Sequence, residues 1–266
     1  MHSLLKTMNE APLSFESPFA QENTETTLLA ERCRQRLRSM HINSFDHEHG
    51  GLQSPVKFID RDSVEYSLVL AAENDQSEAN MATKTLDNAM ALLDKEWGGI
   101  YQYSTQARWD LPHHKKTMAT QAASLRLYSL AYAFFKHTRY LAIAQSIRNY
   151  IERFLTSNNG AFYCGQSDSI PGMDARLYFS LNNIERNKFG IPEIDERITS
   201  RENGWAIEAL ATCFEYTGDE ATYNKARRNP AFANHILFLH QHKENRRRHT
   251  DNHSKRHGDS SCRRCG

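Results

Sequence analysis

One long loop of this sequence combines side chains that could carry out acid–base chemistry with side chains that could hold a sugar. His113 lies in the run Pro112-His113-His114-Lys115-Lys116, and its imidazole can gain or lose a proton near neutral pH, as a general acid or base must. If Lys115 lies close by, like-charge repulsion lowers the basicity of that imidazole. Four aromatic residues precede the run and could stack on a sugar: Trp97, Tyr101, Tyr103 and Trp109. The alternative is that the tryptophans cap the core and the histidines are solvated.

Three carboxylates lie near predicted loop ends and could take part in the same chemistry. Asp168 and Asp174 flank a turn that contains Pro171-Gly172, and Glu202 opens a predicted helix. Hydrolysis of a glycosidic bond needs two carboxyl groups across the scissile bond, one of them protonated. The structural alternative is that the aspartates stabilise a turn and that the glutamate stabilises the first turn of its helix.

Two further clusters contain residue types that bind metals. His47 and His49 alternate with acids in residues 46–49, where a solvated turn is the better explanation. Cys262 and Cys265 form a C-x-x-C pair, but a redox or zinc site needs a supporting fold or a second pair of ligands. The five cysteines are an odd number and do not indicate a disulfide framework. We therefore predict neither a metal nor a cofactor.

The elements that must position these residues follow from a pattern that occurs three times. An amphipathic helix is followed by a short polar loop, a glycine and an apolar or aromatic residue, at intervals of about 50 to 60 residues, the length of two connected helices. Because one helical pair cannot bury its apolar face alone, such pairs stack around a shared core. The three connections, which we call glycine loops 1, 2 and 3, cover residues 46–52, 94–101 and 157–163.

Hydrophobic periodicity predicts one unpaired helix and then three helical pairs. The predicted helices cover residues 22–40, then 62–73 and 77–93, 118–135 and 140–155, and 202–216 and 220–239. Short strands are predicted within the third connection, over residues 161–164 and 177–179. We expect an all-α fold, a partial (α/α) toroid of stacked hairpins that is incomplete relative to the six hairpins of a closed one.

Composition divides the chain into three parts. Residues 1–20 are expected to form a flexible arm, residues 21–240 the toroid domain, and residues 241–266 a disordered basic tail with almost no apolar side chains. The tail would bind nucleic acid only weakly and in a salt-sensitive way, and a frameshift or aberrant splice would account for it. The net charge of +1 gives the main body no reason to bind nucleic acid. Lack of a long apolar segment predicts a cytoplasmic protein without a membrane partner.

Several motifs, in order and with fitting spacing, resemble the YyaL-like and spermatogenesis-associated thioredoxin-like proteins over roughly residues 45–226. They are Trp97–Ser104, Trp109-x-x-Pro112-His113, Gln121–Tyr128, Phe154–Tyr163, Gly190–Pro192 and Glu202–Ile207. That family has a thioredoxin-like domain followed by an (α/α) toroid similar to six-hairpin glycosidases and N-acylglucosamine 2-epimerases. The resemblance implies that a saccharide would bind at the mouth of the toroid, where Lys57, Gln166 and Asn203 would join the aromatic residues as substrate-binding groups.

The sequence departs from the family pattern at the places where chemistry is expected. Lys115 replaces a carboxylate of the family's loop, and Ser167 and Ser169 replace two acids around Asp168. No thioredoxin-like domain precedes the toroid part, and the basic tail replaces the C-terminal part of the toroid.

Two functions therefore stay open. The first is sugar binding, with epimerase-type chemistry at a histidine acid/base or hydrolysis by paired acids, for which His113, Asp168 and Glu202 are the catalytic candidates. The second is a non-catalytic scaffold or interaction domain derived from the same fold, in which exposed apolar edges of the incomplete toroid would lead to a partner, self-association or instability. If the site is intact, its three catalytic candidates should line one concave end of the domain.

Overall fold

The computed structural model describes residues 24–218, with side chains from Leu28 onward. This part of the chain divides between Ser44 and Phe45 into two compact units, whereas we expected the toroid domain to begin at residue 21. Helix α1, Thr24–Ser44, is the first unit and extends four residues beyond its predicted end. The predicted N-terminal arm, the helix over 220–239 and the basic tail with its C-x-x-C pair lie outside the described residues.

The second unit begins with two helical hairpins and continues into a third inner helix. The elements are α2 (Arg61–Ala72) and α3 (Gln76–Ala89), α4 (Met118–Phe135) and α5 (Thr138–Phe154), and α8 (Ser200–Thr217). A short 3-10 turn, Met90–Leu92, follows α3. Helix α4 packs against its hairpin partner α5 and also against α2 and α8. The first helices of successive hairpins therefore form an inner row, which confirms the prediction of an all-α fold of stacked hairpins.

The core between the helices is apolar and fully closed. Leu68 of α2, Leu86 of α3, Leu125 of α4 and Ile147 of α5 have no exposed surface. Burying each such side chain stabilises the fold by about 1.5–3 kcal/mol relative to leaving it in water. Their spacing gives each helix one apolar face, which fixes its rotation and so determines which residues reach the loop end.

Polar side chains cap the beginnings of the inner helices. Thr117 caps α4, where its hydroxyl accepts a hydrogen bond from the amide of Thr120. Thr199 caps α8 in the same way, with Glu202 as the donor. These caps satisfy amides that have no partner inside the helix, and each contributes about 1 kcal/mol. They place the first turns of α4 and α8 in corresponding positions next to the loops.

Five two-residue strands connect the loops to one another. Strands β1 (Tyr103–Ser104) and β2 (Pro112–His113) form an antiparallel pair. The second sheet has the order β3-β4-β5 and is also antiparallel. Its strands are β3 (Lys116–Thr117), β4 (Gly165–Gln166) and β5 (Ile194–Asp195). This sheet joins the segment after glycine loop 2 to the long connection after glycine loop 3.

The strands predicted in the third connection lie elsewhere. Within the range 161–164 only Phe162 forms a β-bridge, a single one with Thr156. Strand β4 begins at Gly165, directly after that range. The prediction over 177–179 is wrong, because these residues belong to helix α6, Ala175–Ser180. Asp174 caps that helix by accepting from the amides of Arg176 and Leu177. A capping box at Asn182 and Glu185 then starts α7, Asn183–Phe189.

The three glycine loops are each closed by a corresponding pair of backbone hydrogen bonds, although glycine loop 3 closes one residue earlier than the other two. In glycine loop 1 the amide of Asp46 donates to the carbonyl of Gly51, and the amide of Gly50 donates back to Asp46. Glycine loop 2 repeats both bonds at Asp94, Gly98 and Gly99. In glycine loop 3, Ser157, Gly160 and Ala161 form the corresponding pair. The repeated sequence pattern therefore corresponds to a repeated turn.

Consecutive loops also contact each other. The indole N–H of Trp109 donates to the carbonyl of His49 across 2.8 Å, and Lys57 forms a bridge with Ser104. These contacts join the first loop to the segment that follows the second. The β3-β4 pairing joins that segment to the third connection. The loops of successive hairpins are thus continuous along one side of the inner row.

Candidate functional site

A cleft of about 1680 Å³ opens where the first turns of α4 and α8 meet the three-stranded sheet. Its walls include Thr117 and Ala119 on one side and Thr199 and Ser200 on the other. All three residues that the sequence predicts to be catalytic line this cleft: His113, Asp168 and Glu202. The structure thus brings together groups that are up to 89 positions apart in the sequence.

His113 and Asp168 form a pair within the cleft. The imidazole Nε2 lies 3.5 Å from a carboxylate oxygen of Asp168, and the two side chains are 40% and 26% exposed. The ring of Tyr103 stacks on the imidazole with centroids 4.8 Å apart and planes 14° apart, which fixes its orientation. Nδ1 of His113 is buried without a hydrogen-bond partner, so Nε2 is the nitrogen available for proton exchange in the cleft.

Glu202 lies in the same cleft but is fully engaged with its neighbours. Arg201 donates to one carboxylate oxygen across 2.7 Å, and the Thr199 hydroxyl donates to the other. The Arg201 contact, followed by the Thr199 contact, lowers the pKa of Glu202 to about 2. Glu202 is therefore ionised at neutral pH and cannot serve as the protonated acid of a hydrolase. Its position in the first turn of α8 also lets its negative charge interact favourably with the helix dipole.

The neighbouring histidine has a different role from His113. His114 is 8% exposed, and its ring stacks on Phe179 with centroids 4.8 Å apart. It also meets the edge of Tyr101 at 4.8 Å. Burial lowers the pKa of His114 below its ordinary value, an effect that nearby acids only partly oppose. The two adjacent histidines therefore have different environments. His113 faces the cleft, whereas His114 packs into the core.

Three of the four aromatic residues that we expected to form a sugar platform are buried. Trp97, Tyr101 and Trp109 are only 4–6% exposed and belong to the hydrophobic core. The indole N–H of Trp97 donates to the side chain of Asn183 across 2.8 Å. The rings of these three residues are not available to a ligand in this structure, which corresponds to the alternative of tryptophans that cap the core. Tyr103 alone of the four contacts a cleft residue, His113.

The three polar residues that we expected to bind substrate make hydrogen bonds within the protein. Lys57 is 1% exposed, and its ammonium donates to Asp46 and to the carbonyls of Gly50 and Leu52. The amide of Asn203 pairs with both backbone groups of Phe162 in glycine loop 3. Neither residue is among those that line the cleft.

Gln166 is the third of these polar residues, and it does line the cleft although it is 1% exposed. Its carbonyl oxygen accepts from the hydroxyl of Tyr150 across 2.9 Å. Its amide nitrogen donates to the carbonyl of Pro192 at the longer distance of 3.4 Å. Gln166 thus contributes mostly to the shape of the cleft wall.

Charged residues that the sequence analysis did not assign complete the cleft. They come from the loop after β2 and from the segment around β5, and they are Lys115, Glu193, Asp195, Glu196, Arg197 and Arg201. Arg197 pairs with Asp195 across 2.6 Å, and this contact holds the pKa of Asp195 below its ordinary value. The density of charge between residues 193 and 202 was the sequence signal that could have identified this wall.

A smaller cavity of about 380 Å³ lies between the inner helices, and we call it the inner slot. Its lining residues come from the N-terminal end of α2 and from the first two to three turns of α4 and α8: Asp60, Arg61, Asp62, Ala119, Ala122, Ala123, Arg126, Trp205, Glu208 and Ala209. Ala119 lines both the slot and the cleft, so the two spaces adjoin each other.

Two other classes of site can be checked within residues 24–218. No cluster of three or more histidine, cysteine or acidic side chains in this range could hold a metal ion. None of the helices described here is both long enough and apolar enough to cross a membrane.

Sequence comparison identifies relatives among the spermatogenesis-associated proteins. No family model matches the chain. Spermatogenesis-associated protein 20 from Homo sapiens is 31% identical over 148 residues, and its Mus musculus counterpart is 30% identical over the same length. The matches cover 53% of this chain but only 18% of each relative. The expected similarity to this group of proteins is confirmed for the matched segment.

Structural comparison finds the same fold in sugar epimerases. The cellobiose 2-epimerase of Spirochaeta thermophila superposes with a TM-score of 0.57 at 14% identity, over 79% of this chain and 54% of the enzyme. The cellobiose 2-epimerase of Bacillus thermoamylovorans gives a TM-score of 0.53 at 14% identity, over 76% and 54%. At this level of identity the comparison shows the fold, an (α/α) toroid of which this chain covers about half.

Proposed function

We propose that the cleft binds a saccharide and that His113 exchanges a proton with it, with Asp168 stabilising the charged imidazole. The observation that carries this proposal is the His113–Asp168 pair, 3.5 Å apart on the wall of an open cleft. In its open-chain form a reducing sugar has a carbon-bound proton next to its carbonyl group, and a base that takes this proton leaves an enediolate, which can be reprotonated on the other face to give the epimer. The toroid fold shared with cellobiose 2-epimerases makes a sugar the most reasonable ligand.

Epimerase-type chemistry fits the cleft better than hydrolysis does. Hydrolysis requires one carboxyl group that stays protonated near neutral pH. The acid best placed for that task, Glu202, is paired with Arg201 and has a pKa of about 2. Proton transfer by His113 needs no protonated carboxylic acid, since an imidazole can itself both donate and accept a proton.

A second function, a scaffold without turnover, is favoured by a separate observation. Trp97 and Trp109 are buried in the core, and Lys57 and Asn203 are committed to loop contacts. Residues that the family resemblance assigned to the ligand therefore maintain the fold. In this alternative the cleft keeps its shape but binds no sugar.

The test combines binding with proton exchange. The full-length chain is titrated calorimetrically with glucose, mannose and cellobiose, and each sugar is then incubated with the protein in D₂O while NMR follows the proton next to the carbonyl. We expect binding and slow loss of that proton signal, with exchange reduced at least ~100-fold in His113→Ala because general acid–base catalysis contributes about 10²–10⁴-fold.

His47→Ala is the matched control, because His47 is an exposed histidine outside the cleft. This variant should exchange like the wild type. Binding without any exchange would refute proton transfer by His113, and a complete lack of binding would refute the proposal and favour the scaffold.

A further inference from the structure

The inner slot contains the one tryptophan that does not belong to the buried core. Of the three tryptophans in the chain, Trp97 and Trp109 are nearly inaccessible, whereas Trp205 is partly exposed and lines the slot. Small side chains line the same slot, namely Ala122 and Ala123 of α4. An aromatic face opposite small residues leaves a flat space, which is the shape that a sugar ring needs for stacking.

Charged side chains around the slot are held in fixed positions. Arg61 donates to Glu208 across 2.8 Å, and Arg126 lies 3.5 Å from the same carboxylate. Arg126 also donates through Nε to Glu65 across 2.8 Å. Hydrogen bonding from Arg126 is the main cause that lowers the pKa of Glu65. These contacts link α2, α4 and α8, so the polar groups keep their geometry without a ligand.

The chemistry of the lining indicates a neutral polyhydroxyl ligand. Guanidinium groups of Arg61 and Arg126 donate hydrogen bonds, and the carboxylates of Asp62 and Glu208 accept them. Because both signs of charge surround the slot, it has no strong preference for an ion of one sign. A volume of about 380 Å³ lies at the lower end of the range for small-molecule pockets, which suits one ring rather than an oligomer.

The slot is also connected to the cleft. Ala119 lines both spaces, and the guanidinium of Arg201, a cleft residue, lies 5.0 Å from the centre of the Trp205 ring. A ligand with one ring in the slot could therefore extend towards His113. The arginine on the ring is itself a cation–π contact that holds the indole in place.

We propose that Trp205 is the stacking wall of a subsite for a single sugar ring in the inner slot, adjoining the cleft. This inference rests on the proposed saccharide function and adds where the sugar is held. In this proposal Trp205, and not the buried Trp97 or Trp109, is the aromatic residue that determines ligand specificity.

The test uses the full-length chain titrated with glucose, mannose and cellobiose, followed in parallel by calorimetry and by tryptophan fluorescence. We expect the wild-type emission to change on binding. Trp205→Phe keeps a stacking ring and should bind within about 3-fold of wild type, but without the emission change. Trp205→Leu should bind at least ~10-fold more weakly, since it loses the aromatic face.

A second variant distinguishes loss of the subsite from loss of the fold, which could also weaken binding in Trp205→Leu. Ala123→Leu fills the slot from the opposite helix and leaves Trp205 in place, and it should also weaken binding at least ~10-fold. If Trp205→Leu and Ala123→Leu both bind as the wild type does, the subsite is refuted while sugar binding in the cleft stands. If the wild type binds none of the sugars, the subsite and the proposed function both fail.

Discussion

Glycine loops 1 and 2 differ from glycine loop 3 in how the same turn is held together. In the first two loops an aspartate begins the turn and pairs with a buried lysine, Asp46 with Lys57 across 2.5 Å and Asp94 with Lys116 across 2.7 Å. Each ammonium also donates to the carbonyl of the first glycine. In glycine loop 3 the turn begins with Ser157, whose hydroxyl donates to the carbonyl of Ala161.

The segment before α8 has no counterpart of Lys116. Lys116 directly precedes the capping residue of α4 and is 0% exposed, whereas Ile198 directly precedes the capping residue of α8 and is 52% exposed. An unpaired buried charge costs several kcal/mol, so one member of such a pair cannot be lost alone. The comparison teaches that the turn needs its backbone pattern but not its ion pair.

Glycine loop 2 carries the most charge and should be the most sensitive to mutation. Asp94 is 1% exposed and accepts hydrogen bonds from both Lys116 and Arg186, which are buried as well. Asp94→Asn leaves two cations without a counter-charge and should lower the free energy of unfolding by about 3–5 kcal/mol. Urea denaturation measures this loss. Ser157→Ala, the equivalent change in glycine loop 3, should cost about 1 kcal/mol; similar losses in the two variants would contradict the comparison.

The close packing of glycine loop 2 gives the next largest effect. Gly98 has a φ of +77°, and a Cβ there would lie 2.6 Å from the carbonyl oxygen of Ser146. Gly98→Ala should therefore cost about 3 kcal/mol, from backbone strain and from a displaced helix. Gly172 has nearly the same φ, +75°, but open space around it, so Gly172→Ala should cost only about 1 kcal/mol. Thermal unfolding of both variants separates the steric cost from the conformational one.

Acid should weaken the loops that contain ion pairs. Burial by itself would raise the pKa of Asp46, but Lys57 and two backbone amides lower it from 3.8 to about 2. Because the unfolded chain binds the proton more readily, the contribution of the Asp46 carboxylate to stability is complete above pH ~4 and is lost as pH falls towards 2. This carboxylate should account for about 2 kcal/mol of that loss. Urea midpoints between pH 5 and 2 should fall less steeply in Asp46→Asn than in wild type, and identical slopes would refute the assignment.

The last expected effect concerns the lysine of glycine loop 2 in alkaline solution. Burial lowers the pKa of Lys116 to about 8, although Asp94 opposes this, whereas an unfolded lysine titrates near 10.5. Since the unfolded state holds its proton longer, stability should rise with pH from 8 towards 10. Lys116→Met should lack this rise in urea midpoints. A wild-type midpoint that falls over the same interval would contradict it.

Much of the fold could be predicted from the sequence because its determinants are local. The spacing of apolar residues in α4 gave its limits, and the glycine pattern gave the three equivalent turns. The error at α6 arose because Leu177, Tyr178 and Phe179 favour strands, while the cap supplied by Asp174 starts a helix. Asp94 pairs with Arg186, 92 positions away, and no local pattern indicates such a contact.

The site could be predicted only in part. His113, Asp168 and Glu202 do line one cleft, but whether an aromatic ring faces solvent depends on the packing of distant elements. Trp97 is covered by Phe154 and Tyr178 from other segments, with ring centroids 5.1 and 6.0 Å away. From the sequence, only Trp97 and Trp109 were candidates; Trp205 lines the inner slot because of the way α4 and α8 pack together.

The most direct measurement of the central claim is the NMR signal of the histidine side chains during a titration with cellobiose. If the cleft holds a saccharide beside the His113–Asp168 pair, the His113 imidazole signals should shift in a saturable way while those of the exposed His47 stay constant. A titration in which His113 does not respond, or in which both histidines shift equally, would contradict the account.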